Sequence, residues 1–205
     1  MSRLFDPDTP LMRGLSTLMD WFVLSFLTVI CALPVFTAGA SACALYGAMA
    51  GLSRGETAPV RCFFSQFRRC FRRSVPCTLA VLAAAYFLYL DTQAVAAIPP
   101  TLRIIFWAAL FFFALCLLLS AVFLPPLIWR DPARSFSALW KSSLILGIGC
   151  LPRALAVLAL AAVPLGVLLV FPTWFLGLSF LWTFFWPALT GFVWARLTLR
   201  PLGAA

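Results

Sequence analysis

Histidine is absent from this sequence, and only six of its 205 residues are acidic. The first absence removes the commonest metal ligand and the usual general base. The second leaves Asp6, Asp8, Asp20, Glu56, Asp91 and Asp131, five of which read as loop or span-end residues. Acid–base catalysis needs a titratable pair held together, and this set offers none. No enzyme activity is expected, and no catalytic residue, cofactor site or metal site is assigned. Cysteine is plentiful at seven residues, yet no CxxC pair occurs, so zinc or haem attachment of standard spacing has no support. Cys31, Cys43, Cys77, Cys116 and Cys150 lie in or beside apolar segments, where a free thiol behaves as a small hydrophobe.

Charge is the other scarcity. Charged residues make up 10% of the chain and hydrophobic ones 64%, where a soluble domain averages about 25% and about 45–50%. A water-soluble fold of this size could not hide so much apolar surface, so lipid is the solvent for most of the chain. The net charge of +9 would point to nucleic acid in a soluble protein. Here the basic residues fall where cytoplasmic loops of membrane proteins collect them, and no nucleic-acid partner is expected.

What is present is a succession of apolar runs. They predict an all-α polytopic protein forming a single membrane domain over 1–205, with about six spans near 15–33, 38–52, 75–90, 104–124, 152–171 and 174–195. Between them lie the arginine-rich stretch 53–74, the loop "DTQAVAAIPPTLR" over 91–103, and the polar segment 125–141. A helix over 135–150, broken at Pro152, leads into the fifth run. With six spans, every Lys and Arg except Arg103 faces one side, which by the positive-inside rule makes both termini cytoplasmic in a bacterial inner membrane. If 38–52 did not cross, Arg3 and Arg13 would fall outside, which is less consistent with the positive-inside rule but not forbidden.

The stretch "PVFTAGASACALYG", 34–47, opens the shortest run. It has no GK pair to cradle a phosphate, and a leader of about forty residues with acids near its start does not suit signal cleavage. Gly39, Cys43, Gly47 and Gly51 recur every four residues, a small-residue face that lets helix backbones approach in lipid. Pro34 ends the first span and Thr37 is placed to cap the second. The expected element is a short second helix packed tightly against span one, with a re-entrant hairpin as the alternative.

Two amphipathic elbows follow. As a helix, 60–75 sets Phe63, Phe64, Phe67, Cys70 and Phe71 on one face and Arg61, Arg68, Arg69, Arg72 and Arg73 on the other. That pattern suits rings in the headgroup boundary and guanidinium groups on anionic lipid phosphates, or a partner-docking surface. The stretch "PVRCFFSQFR" aligns at an offset of 73 with "PARSFSALWK", pairing Arg61, Phe63, Phe67 and Arg68 with Arg134, Phe136, Trp140 and Lys141. This modest repeat suggests two equivalent span–elbow–span units. Asp20 is the one acid placed inside a span. By default it is a functional-site candidate, the alternative being an interfacial pairing with Arg13 or Arg196.

The segments "LPVFTAGAS", "LYGAMAGLSRGE", "FFSQFRRCFRRS" and "WRDPARSFSALWKSSLILGI" together resemble the YesL family of bacterial multi-pass membrane proteins over nearly the whole chain. Pro34, Thr37, Gly39 and the Phe/Arg-rich loop are the most specific pieces. An alanine- and cysteine-rich second helix, and arginine where relatives often carry lysine, are departures. The resemblance implies no catalytic residues, an unknown molecular function and a setting near carbohydrate uptake and degradation. The expectation is a non-enzymatic accessory component of such a membrane system, in contact with anionic lipid and with another membrane protein such as a sugar-uptake system. The alternative is a small-solute transporter or channel subunit using the helices broken at Pro152, Pro164 and Pro187.

Overall fold

In the computed structural model, residues 10–55, 58–95, 99–171, 173, 177 and 179–199 are described. The readings that rest on Arg3, Asp6, Asp8, Glu56, Arg200 and part of the run 174–195 lie outside them, as does the Arg13 side chain. Among the described residues the elements are α1 (Pro10–Ala32), α2 (Ala38–Ser53), α3 (Pro59–Ala94), α4 (Pro100–Arg130), α5 (Phe136–Gly149), α6 (Leu151–Val170), α7 (Ser179–Phe184) and α8 (Trp186–Leu199), with no strand. The all-α expectation holds. Five stretches, Leu15–Ala32, Val35–Ser53, Pro59–Ala94, Leu102–Arg130 and Leu151–Val170, are long and apolar enough to cross a membrane.

Proline sets several of the helix starts. Pro59, Pro100 and Pro152 stand in the first turns of α3, α4 and α6, where a fixed φ favours the helix and a missing N–H costs nothing. The break before α6 falls at Cys150, close to its expected place. Between α1 and α2, Pro34 precedes a single 3-10 turn over Val35–Thr37. Thr37 does not cap α2 with its side chain. Its hydroxyl instead reaches back in a bifurcated bond to the carbonyls of Cys31 at 2.5 Å and Pro34 at 2.7 Å. The reason is local: the last carbonyls of a helix have no donors of their own, and the hairpin brings this hydroxyl to them.

Elbow 60–75 is not a separate interfacial helix. It is the first half of α3, one helix of 36 residues with Pro76 inside it, about 54 Å long. The loop expected from residue 91 also starts later, because α3 runs through Asp91 to Ala94. In the second elbow, α5 begins only at Phe136, leaving Arg134 in the preceding turn. The two repeats therefore differ in structure: Phe63 is fully buried whereas its counterpart Phe136 is 42% exposed.

The core is built around α2. Of the stretch Val35–Ser53, 67% is buried, against 11% or less of the other four apolar stretches, so α2 is wrapped by protein while the others present their flanks. The glycine face does not meet span one as expected. A methyl group on Gly39 would collide with Thr78 of α3, and one on Gly47 would sit 2.6 Å from Trp129 Nε1 of α4 and 2.9 Å from Gln66 Cγ of α3. Cys43 on the same face donates to the Pro125 carbonyl and lies against Ser74, each at 3.3 Å. Helix α2 thus runs antiparallel to α3 and parallel to α4, and α1 and α8 close its other side. There Trp21 meets Phe192 at 5.2 Å and Ser25 meets Ala188.

This register fixes heights. The start of α2 is level with Ser74 and Thr78, near the middle of α3, and its later part is level with Gln66. Helix α3 then continues past Thr78 to Ala94, about 24 Å beyond the level of Gly39. The hairpin tip is apolar and open, with Leu33, Val35 and Phe36 exposed by 74, 60 and 48%.

Candidate functional site

Two features stand out. The first is the basic face of α3. Phe63 and Cys70 are fully buried, Phe67 is half-buried and stacks 6.3 Å from Phe63, and together they fix this half of α3 onto α2. Phe63 therefore enters the protein core and not the headgroup layer, because the neighbouring small residues of α2 leave room for a ring. Phe64 and Phe71 remain exposed. Arg61, Arg68, Arg69 and Arg72 are exposed on the opposite side. Arg73 is different: its Nε donates to the Pro132 carbonyl at 3.2 Å, tying the two elbows together. Of the second elbow's residues, Arg134, Phe136 and Lys141 are exposed, and Trp140 is half-buried against Phe136 at 6.1 Å.

The second is a cleft of about 450 Å³ where α1, α2, α4, α6 and α8 converge. Its lining carries no ionisable side chain; its polar groups are the hydroxyls of Thr28, Ser41 and Thr190 and the indoles of Trp186 and Trp194. Each hydroxyl donates to a carbonyl of its own helix, at 2.7, 2.9 and 2.9 Å, so its oxygen keeps acceptor capacity. Trp194 Nε1 is buried without a hydrogen-bond partner. Ala121 and Val122 also line the cleft, and Pro125 and Pro126, four residues on, have no N–H to return to their carbonyls.

Proline explains two of the contacts that build this cleft. Pro164 cannot donate to the Leu160 carbonyl, and Trp186 Nε1 from α8 supplies that bond at 3.1 Å. Ala188 lies in the first turn of α8, where backbone N–H groups have no helical acceptor, and Ser25 Oγ of α1 accepts its bond at 3.0 Å. Sequence reasoning found the prolines but missed Ser25, Trp186 and Trp194. The four-residue spacing from Leu160 to Pro164 announces a stranded carbonyl, whereas nothing local announces the donor.

Asp20 is half-buried on α1. Of the two alternative partners, Arg196 does not pair with it: that guanidinium lies 4.6 Å over the Phe192 ring, and the Arg13 side chain lies outside the described residues. Among the described residues no cluster of three metal-ligating side chains exists. The cysteines among them are free thiols, with Cys43, Cys70 and Cys77 buried.

The family described as "Protein of unknown function, DUF624" matches residues 19–92, from α1 to near the end of α3. That interval holds the hairpin, the glycine face and the basic half of α3. No curated protein and no solved structure matches the chain.

Proposed function

We propose that the protein is a non-enzymatic accessory component of a membrane system, using the basic half of α3 as its docking surface. One observation carries this reading: Arg61, Arg68, Arg69 and Arg72 project from a helix whose opposite face is locked into the core. Arginine is suited to carboxylate and phosphate partners, and presenting it on a rigid element lowers the entropic cost of docking. The resemblance to the YesL family suggests that the system serves carbohydrate uptake. In this reading the arginine side is cytoplasmic, in keeping with the positive-inside rule. The α1–α2 hairpin enters the bilayer from that side, reaches part-way and returns. Exposed arginines at the level of α2 support this, since an arginine at the bilayer centre costs at least about 2.5–3.5 kcal/mol. Both termini then stay cytoplasmic without a crossing by α2.

Crosslinking and affinity purification from native membranes test the reading. A specific membrane partner is expected, and charge reversal at Arg68, Arg69 and Arg72 should release it while the bundle stays folded. Arg73 is left unchanged because it holds Pro132. Retention of the partner by the reversed variant contradicts the reading.

A second reading, a small-solute transporter or channel subunit, is favoured by the cleft beside Pro187, whose polar groups suit an uncharged solute. It requires solute flux in liposomes holding the purified protein alone. No flux across a panel of sugars contradicts it.

A further inference from the structure

Helix α3 carries an acid that the basic face and the central cleft do not use. Asp91 belongs to the helix rather than to a loop, and it lines two clefts along the seam with α4. One, of about 480 Å³, lies between α3, α4 and α5 and is walled by Phe87, Leu88, Phe113, Leu117 and Trp140. The other, of about 240 Å³, continues along α3 and α4 on the far side of Phe113. Asp91 is the one acidic or basic residue in either lining, and no ion pair to it is formed among the described residues. Asp91 is itself exposed, so its carboxylate stands at the open edge of this apolar wall, where it can meet a cation whose apolar part lies along the wall. Phe87 and Phe113 are 65 and 62% exposed, so the clefts open sideways toward lipid, and their rings together with Trp140 offer faces to a cation.

We propose that this seam binds an amphiphilic organic cation, a single ammonium on an apolar body, with the ammonium at Asp91 and the body along the wall of Phe87, Leu88 and Leu117. The apolar body enters from the bilayer, and the carboxylate selects the charge. Neither the docking surface nor the central cleft is required for this site, so its test is independent of both.

The full chain in phosphatidylcholine nanodiscs is titrated with radiolabelled dodecyltrimethylammonium, and with a chain-matched uncharged alcohol, against protein-free discs. Saturable binding of the cation alone is expected. Asp91→Asn should weaken it by about two- to five-fold, the worth of an exposed ion pair, Asp91→Glu should keep it, and Leu117→Trp should block it by bulk. Asp131→Asn, outside both clefts, should leave it unchanged. Size-exclusion and circular dichroism confirm that each variant is folded. Non-saturable binding, equal binding of the alcohol, or unchanged affinity in Asp91→Asn overturns the proposal. Displacement of the ammonium by phosphatidylethanolamine in the disc overturns it too, by assigning the seam to a bilayer lipid.

Discussion

Gly47 shows how much a single residue decides. Trp129 and Gln66 close over it from two helices, so any added carbon must displace an indole and the Gln66 side-chain methylene at once. Overpacking of this kind costs about 1–3 kcal/mol. Gly47→Leu is therefore expected to lower the thermal aggregation temperature of the detergent-solubilised protein clearly. Gly166→Ala, which meets nothing within 4 Å, should be neutral or slightly stabilising, because alanine is the better helix former. Equal effects of the two substitutions would contradict the close approach. The small-residue spacing was legible in the sequence, since a four-residue period places Gly39, Cys43 and Gly47 on one stripe. Its partner was not legible, because the period says that a backbone is near without saying which one. Phe63 shows the same limit: its helical face could be read, but not whether lipid or protein covered it.

At the scale of elements, prolines interrupt helices and residues from distant helices repair the interruptions. Trp186 of α8 answers the carbonyl that Pro164 strands on α6, and Ser25 of α1 answers an N–H at the start of α8. A buried polar group left unpaired costs about 1–3 kcal/mol. Trp186→Phe should thus be more damaging in the native background than in Pro164→Ala, where alanine supplies the N–H. A double-mutant cycle on thermal stability measures that coupling. Additive effects would mean that the indole bond does not compensate the proline. Ser25→Ala should likewise destabilise the junction of α1 and α8, and Ser25→Thr should recover part of the loss by restoring an acceptor. Helix existence followed from apolar run length. The fusion of the first elbow with the third run did not, because the change from arginine-rich to apolar composition near residue 75 reads as a boundary, yet α3 passes through it.

At the scale of the whole molecule, register is what the proposed topology rests on. From the sequence alone α2 could cross or form a re-entrant hairpin, and a failure to cross moved Arg3 and Arg13 outside. A hairpin whose two arms enter and return together removes that conflict. The arginines of α3 lie alongside α2, and the apolar tip at Leu33, Val35 and Phe36 is level with mid-α3. The most direct test places an azide-bearing amino acid at Phe36 and reacts it with a membrane-impermeant cyclooctyne in right-side-out and inverted vesicles, with the same substitution at Arg72 as reference. The Arg72 site should react only in inverted vesicles. The Phe36 site should react in neither preparation, yet react fully with a permeant reagent. Reaction at Phe36 in right-side-out vesicles would show that α1 and α2 are complete spans and would contradict the partial insertion.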